Sequence, residues 1–275
     1  MKKVCIITGG SSGMGLATAK VLGKENYIII VGRTVKKLES ALEELRAEGI
    51  DAEAFSCDIS KRTSVDKLAA YAKTKGQIVS VIHAAGMSPH MGSAKTIMEA
   101  NALGTININE AFFEVMEEGS CLIDVSSMSG YLVPNIVMPT RKYKYSHTNK
   151  ELFMKKMMGR VNLFPPKLRS SVSYGISKNF VIWYSKTCAV KFGEKGIRIM
   201  SVSPGSFDTP MGELEKDRVS EYTDQSAIKR LGRVEEIADL FAFCVSSKAS
   251  YLTGLDILCD GGCIASQINP AKKSA

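Results

Sequence analysis

Tyr174 and Lys178 stand four residues apart, and their chemistry is complementary. On a helix that spacing stacks both side chains on one face. A phenol, with a reference pKa of about 10, is a poor base near neutrality. A fixed ammonium beside it favours the phenolate and lowers that value. The pair therefore suits proton exchange with an alcohol or a carbonyl near neutral pH. The spacing is not unique in the chain. Tyr71 and Lys75 share it, and that copy is expected to be an exposed helix end. What must set Tyr174 apart is the set of elements around it.

Those elements alternate. Residues 3–8 form a short β-branched run, expected to be a buried strand. Thr8-Gly9-Gly10-Ser11-Ser12-Gly13-Met14-Gly15 follows, and a helical pattern begins at Leu16. A strand, a glycine turn and a helix start make an anion site, because glycines let the backbone approach a phosphate at the positive helix end. A plain glycine-rich connection is the alternative. Further strands are expected at 27–31, 52–57, 78–82, 121–125, 197–202 and 255–258. Their ends carry Gly32-Arg33-Thr34, Asp58-Ile59, His83-Ala84-Ala85-Gly86, Ser126-Ser127 and Pro204-Gly205. Between them, Leu38, Ala41, Leu42 and Leu45 mark an amphipathic helix. Other helices are expected through 68–71, over 97–117 with Asn101 inside, over 173–192 with Tyr174 and Lys178, and over 234–245. Seven strands alternating with helices imply an α/β fold with a parallel sheet covered on both faces. No repeat or long linker divides residues 1–275, so one domain is expected, with a polar, frayed tail at 266–275.

Composition excludes little but locates the charge. Hydrophobic residues make up 45% and charged residues 23% of the chain, ordinary values for a globular protein. No apolar run reaches the length of a membrane span. The basic, apolar start is too short for a signal peptide and runs straight into the glycine turn. Seven scattered cysteines without metal-ligand spacing point to reduced thiols in a cytoplasm, and no metal site is expected. The net charge of +8 lies entirely in residues 131–172, where nine basic residues face one acid, Glu151. The basicity belongs to an insert, which argues against nucleic acid as the partner of the fold as a whole.

With these residues in order, the sequence resembles the short-chain dehydrogenase/reductase family over roughly residues 3–263, apart from the insert. The likeness rests on the Thr-Gly-x-x-x-Gly-x-Gly turn, Asp58, Asn101, a strand ending in Ser, Tyr174-x-x-x-Lys178, Pro204-Gly205 and Asp260-Gly261-Gly262. His83-Ala84-Ala85-Gly86 departs from the Asn-Asn-Ala-Gly of many relatives, and His83 is expected to be a structural substitute. The resemblance implies a Rossmann-type, doubly wound sheet and a homodimer or homotetramer. It implies Tyr174 as general acid/base and Lys178 as the group that lowers its pKa and binds the nicotinamide ribose. Ser127, rather than Ser126, would hold the substrate oxygen, because Ser127-Met128-Ser129-Gly130 fits the family's Ser-x-x-Gly. Asn101 would hold a water joining Lys178 to solvent. For the cofactor, the resemblance implies Gly9, Ser11, Ser12, Gly13 and Met14 at the phosphates, and Asp58 and Ile59 at the adenine. Ala84, Ala85 and Gly86 would lie beside the ribose, and Pro204, Gly205 and Thr209 at the nicotinamide amide.

The same chain makes NADP(H) the expected cofactor and NAD(H) the less favoured one. An NAD site usually ends the second strand with a carboxylate for the ribose hydroxyls. Here Gly32 takes that place and Arg33 follows, a guanidinium that can bind a 2′-phosphate by charge-assisted bonds. Thr34 and Ser11 can add hydroxyls. The substrate is expected to be a small-molecule secondary alcohol or ketone. Ser127 and Tyr174 lie 47 positions apart, so the intervening chain must loop out. Leu152-Phe153-Met154-Lys155-Lys156-Met157-Met158 mixes apolar and basic groups in an amphipathic pattern. This is either a subunit-contact lobe or a lid over a bulky apolar substrate with a negative group. Similarity to insert-bearing bacterial hydroxysteroid dehydrogenases suggests a bile-acid-like substrate. Small ketones, 3-oxoacyl thioesters, a non-catalytic NADP-sensing role, and nucleic-acid or membrane-surface binding through the insert are the alternatives.

Overall fold

A computed structural model describes residues 2–213 and 216–267 of the chain. The strand runs show little alternation because both faces are covered. Val4 and Ile6 of the first strand enter one core cluster, and Cys5 and Ile7 enter the other. The order is β1 (Lys3–Thr8), α1 (Gly13–Leu22), β2 (Tyr27–Gly32), α2 (Val35–Ala47), β3 (Ala52–Ser56), α3 (Arg62–Lys75) and β4 (Gln77–His83). Next come α4 (Ala94–Met98), a π-helical turn over Glu99–Leu103, α5 (Gly104–Val115), β5 (Cys121–Val125) and α6 (Ser129–Leu132). The insert contributes α7 (Thr140–Tyr143) and α8 (Lys150–Val161). The chain ends with α9 (Arg169–Gly193), β6 (Arg198–Pro204), α10 (Pro210–Glu213), α11 (Lys216–Gln225), α12 (Val234–Val245), β7 (Asp256–Cys259) and α13 (Cys263–Gln267).

The seven strands form one parallel sheet in the order β3-β2-β1-β4-β5-β6-β7. The order reverses between β1 and β4, and in open sheets of this kind the crevice at that point, beyond the strands' carboxyl ends, is where ligands bind. The expected Rossmann-type architecture is therefore present.

Three expectations need correction. The helix expected over 97–117 is broken by the π turn and ends at Val115. Asn101 lies in that turn and bonds the backbone of Met87 at both its N–H and its C=O. The helix with Tyr174 begins earlier than expected, at Arg169, and a short 3₁₀ turn at Pro166–Leu168 joins it to the insert. Of the expected tail, Ser266 and Gln267 close α13, and residues 268–275 lie outside the described residues.

The insert is packed as core. Asn149 caps α8, its Oδ1 accepting from the Leu152 N–H at 2.8 Å. Phe153, Met157 and Val161 of α8 are fully buried, as is Tyr143 of α7. Phe153 and Tyr143 place their rings 4.6 and 5.3 Å from that of Phe180 on α9. Burial of such side chains stabilises by about 1.5–3 kcal/mol each. Basic side chains tie the lobe down: Lys150 pairs with Glu110 at 2.5 Å, and Arg160 donates to the Val137 carbonyl at 2.8 Å. No described helix is long and apolar enough to cross a membrane. The seven cysteines form no disulfide.

Candidate active site

A cavity of about 600 Å³ occupies the crevice where the sheet order reverses. One end is built on the turn from β1 to α1. Gly9 has φ 72°, and a Cβ there would stand 2.9 Å from the Ala85 nitrogen. At Gly15 a Cβ would meet the Gly9 carbonyl oxygen at 2.3 Å. Only glycine permits a turn this tight against the end of β4. The backbone of Gly9, Ser11, Ser12, Gly13 and Met14 thus walls the cavity, facing Ala84, Ala85 and Gly86. Thr209, with Pro204 and Gly205 at the end of β6, closes the other side; the Thr209 side chain stands 3.4 Å from where a Gly13 Cβ would be.

Arg33 and Thr34 line the cavity beyond the end of β2, with Asp58 and Ile59 from the end of β3. Where a carboxylate-bearing side chain would start at Gly32, Ser11 Oγ lies 3.7 Å from the Cβ position. Lys37, in the first turn of α2, joins the same wall. Sequence reading missed it, although a cation one turn into the helix that leaves this strand end was a usable signal. Burial works to raise the Asp58 carboxyl, but the Ser60 hydroxyl and amide and the charges of Lys61 and Arg33 outweigh it and hold it low. Two cations, hydroxyls and a glycine turn at a helix start suit a phosphate-rich dinucleotide.

Ser127 and Tyr174 both line this cavity, despite their separation in sequence. Ser127 Oγ accepts from the Ser129 N–H at 3.1 Å, which leaves its own proton for another acceptor. Ser126 serves the packing instead. Its hydroxyl donates to the Lys178 carbonyl at 2.7 Å and fixes β5 to α9. The spacing to Gly130 is explained by packing as well. A Cβ there would lie 3.0 Å from the Asn179 nitrogen, and the Gly130 carbonyl accepts from Asn179 Nδ2 at 2.9 Å. Tyr174 packs against Met87, Ile97 and Ala100.

Lys178 and Asn101 form a layer behind that wall. The Lys178 side chain is buried, and its Nζ donates to the Val125 carbonyl at 2.9 Å and lies 5.8 Å from the centroid of the Tyr174 ring. Burial pushes its pKa down to about 8, against the opposing pull of Asp124. A Cβ on Gly86 would stand 3.5 Å from Lys178 Nζ and 3.1 Å from Asn101 Oδ1. The bare backbone at Gly86 is thus what separates both groups from the cavity. Asn101 also donates to Ser177 Oγ at 3.2 Å. His83 is buried and bonded through Nδ1 to Thr8 Oγ1 at 2.8 Å, and burial pushes it down to about 3, so it stays neutral. This is the structural part expected for it.

Of the two readings of residues 131–172, a lobe or a lid, the lid finds no support in the cavity wall. None of the cavity-lining residues among those described comes from that segment. Met157 is consumed by the core, and Lys155 and Lys156 point to solvent on the outer side of α8. Phe207, Met211 and Tyr222, from the stretch after β6, line the cavity instead. Its methionines are Met14, Met87, Met91, Met128 and Met211. The acid Glu99 stands in the wall beside Ala100, and no cation from the insert does. A requirement for a negatively charged substrate therefore loses its support.

Two family models match the chain, one described as short chain dehydrogenase over residues 3–157 and one as enoyl-(acyl carrier protein) reductase over residues 167–263. A short-chain dehydrogenase/reductase of Alternaria brassicicola is 27% identical over 270 residues, covering 96% of this chain and 97% of the relative. Sorbose reductase of Schizosaccharomyces pombe is 28% identical over 271 residues, covering 94% and 95%. Among solved structures, a short chain dehydrogenase from Burkholderia cenocepacia in complex with NADP superposes with a TM-score of 0.77 at 21% identity, covering 95% and 98%. At that identity the likeness is one of fold.

Proposed function

Because the chain belongs to the short-chain dehydrogenase/reductase family, we propose that it interconverts a secondary alcohol and a ketone with NADP(H), Tyr174 being the acid/base. The observation that supports the reading is that Tyr174 and Ser127 line one cavity, with Lys178 Nζ behind Gly86. When bound, the reduced nicotinamide supplies the hydride that the carbonyl carbon accepts. Ser127 Oγ donates a hydrogen bond to the carbonyl oxygen, and Tyr174 delivers the proton to it as the alcohol forms. In the reverse direction Tyr174 takes that proton from the alcohol. Lys178 keeps a positive charge behind the phenol and would hold the ribose once a bound cofactor lies against Gly86. Asn101, in its π turn, would hold a water that connects Lys178 with solvent. Gly9, Ser11, Ser12, Gly13 and Met14 would hold the phosphates, Asp58 and Ile59 the adenine, and Ala84 and Ala85 the ribose side. Pro204, Gly205 and Thr209 would hold the nicotinamide.

Arg33, assisted by Lys37, Thr34 and Ser11, favours NADP(H) over NAD(H). The methionine-lined cavity with Glu99 in its wall suits a neutral, bulky substrate, of which neutral hydroxysteroids are the first class to assay. The expectation of a homodimer or homotetramer rests on the family and is tested by sedimentation. The deciding experiment is a screen of the purified protein with NADPH and NADH against neutral oxosteroids, bile acids, ketoses and small ketones. Turnover of a neutral polycyclic ketone with NADPH supports the reading in full. Turnover of small ketones alone overturns the substrate class and leaves the reaction. Tight coenzyme binding with no turnover of any carbonyl or alcohol would favour a sensor and sink the enzyme reading.

A further inference from the structure

Beneath the proposed active site lies an acid that the reaction above does not use. Asp124, the fourth residue of β5, is fully buried. Its Oδ2 accepts from Asn109 Nδ2 of α5 at 2.8 Å and from Ser185 Oγ of α9 at 2.7 Å. Its Oδ1 meets no donor among the described residues. A carboxylate in such a place is costly unless a positive charge compensates it. The fold brings one. Lys178 lies two turns before Ser185 on the same face of α9, and its ammonium rests on the carbonyl of Val125, the residue next to Asp124.

We propose that Asp124 is a positioning residue for Lys178, the buried counter-charge that keeps this ammonium protonated and seated on the Val125 carbonyl behind Tyr174. The proposal rests on the reading of Tyr174 and Lys178 as the catalytic pair. The other groups facing Asp124 cannot take this part. His83, its register partner on β4, is held neutral by burial. Tyr184 and Cys188 on α9 are pushed up by burial, Cys188 to about 12, and stay protonated near neutrality. Asn109 on α5 and Ser201, the register partner on β6, carry no charge. Among the described residues, Lys178 is the cation whose charge pulls the Asp124 carboxyl down. Burial pushes Asp124 up to about 7 and Lys178 down to about 8, and the attraction between them opposes both shifts. Without the carboxylate, only the hydrogen bond to the Val125 carbonyl offsets the desolvation of Lys178, and its proton leaves at lower pH.

Asp124→Asn isolates the charge. The amide oxygen can take the place of Oδ2 and accept both bonds, while the NH₂ takes the place of the partnerless Oδ1. The measurement is kcat/KM for carbonyl reduction with NADPH, from about pH 5.5 to 9.5, in the wild type, Asp124→Asn and the smaller Asp124→Ser. In both variants the alkaline arm should move to lower pH by about one unit. That is roughly a tenfold loss at a fixed alkaline pH, and the acid plateau should fall by less. An alkaline arm left at its wild-type position in either folded variant, or a loss equal at every pH, would overturn the proposal. Tyr174→Phe separates the two levels. If that variant is inactive and the arm does not move, only the role of Asp124 fails. If it stays active, the catalytic reading fails and this proposal with it.

Discussion

Tyr71 and Lys75 repeat the spacing of Tyr174 and Lys178, yet the two pairs live in opposite surroundings. Lys75 is partly exposed at the end of α3 and pairs with Glu53 of the edge strand β3 at 2.8 Å, while the Tyr71 hydroxyl donates to the same carboxylate. The hydrogen bonds that Lys75 donates to Glu53 and Tyr71 raise its pKa. Lys178 meets a backbone carbonyl instead, and burial lowers its pKa. In the first pair the positive charge is spent on a carboxylate at the sheet's edge, away from the cavity. In the second it has no carboxylate bonded to it and stands behind a cavity wall. Spacing brings a phenol and an ammonium to one face, and the position of that face relative to the strand ends decides what they can do.

The contrast is tested most severely at Tyr174. Tyr174→Phe removes the proton donor and keeps the ring that packs on Met87 and Ala100. It should lower kcat by about 10²–10⁴-fold, with the dissociation constant for NADPH, read by fluorescence titration, changed by less than about threefold. Residual activity within about tenfold of wild type would erase the distinction between the two pairs.

Arg33 sharpens the comparison from the other end of the cavity. A charge-assisted bond to a phosphate is worth roughly 1.5–3 kcal/mol, so Arg33→Ala should raise the KM for NADPH by about 10–100-fold and leave that for NADH nearly unchanged. Adding Lys37→Ala should widen the loss. Equal changes for both coenzymes would show that these cations do not read the extra phosphate.

What the sequence made legible follows from local rules. Strands end in polar or glycine punctuation, so Asp58, Gly86, Ser127 and Pro204 could be placed at one edge of the sheet from their positions in the chain. Gly130 announced Ser127 because only a side chain without Cβ fits against α9 there. The π turn at Glu99–Leu103 left no trace in composition, because it arises from a tertiary contact between Asn101 and Met87. Phe207, Met211 and Tyr222 went unread, since the stretch between β6 and α12 lacks the apolar period that marks a helix. The insert stayed open between lobe and lid because an amphipathic helix facing a ligand and one facing the core have the same pattern. The aromatic partners Phe180 and Trp183 on α9 decide it in favour of the core.

At Tyr71 the expected effect is smaller and of a different kind. Tyr71→Phe loses one partly exposed hydrogen bond to Glu53, so thermal unfolding should report a cost of about 1 kcal/mol or less. Steady-state kcat and KM should stay within about twofold of wild type. A kinetic defect without a stability defect would mean that this second pair lies on the reaction path after all.

Smallest of all is the effect expected at Lys155 and Lys156, where the sequence pattern alone suggested the reverse. Both lysines are exposed on α8, whose opposite face is held by Phe153, Met157 and Val161, and no residue of 131–172 is found in the cavity wall among those described. Charges this exposed and outside the cavity are screened within about 8–10 Å at physiological salt. Changing both to Gln should therefore move neither the KM for a carboxylated steroid nor that for its neutral analogue by more than about twofold, and the ratio of the two should be flat from low to high salt. The unfolding midpoint should hold as well, because neither lysine supports the packing beneath it. A rise in KM confined to the carboxylated substrate and mimicked by salt would restore the insert as a binding element, and would require α8 to swing toward the cavity when substrate is present.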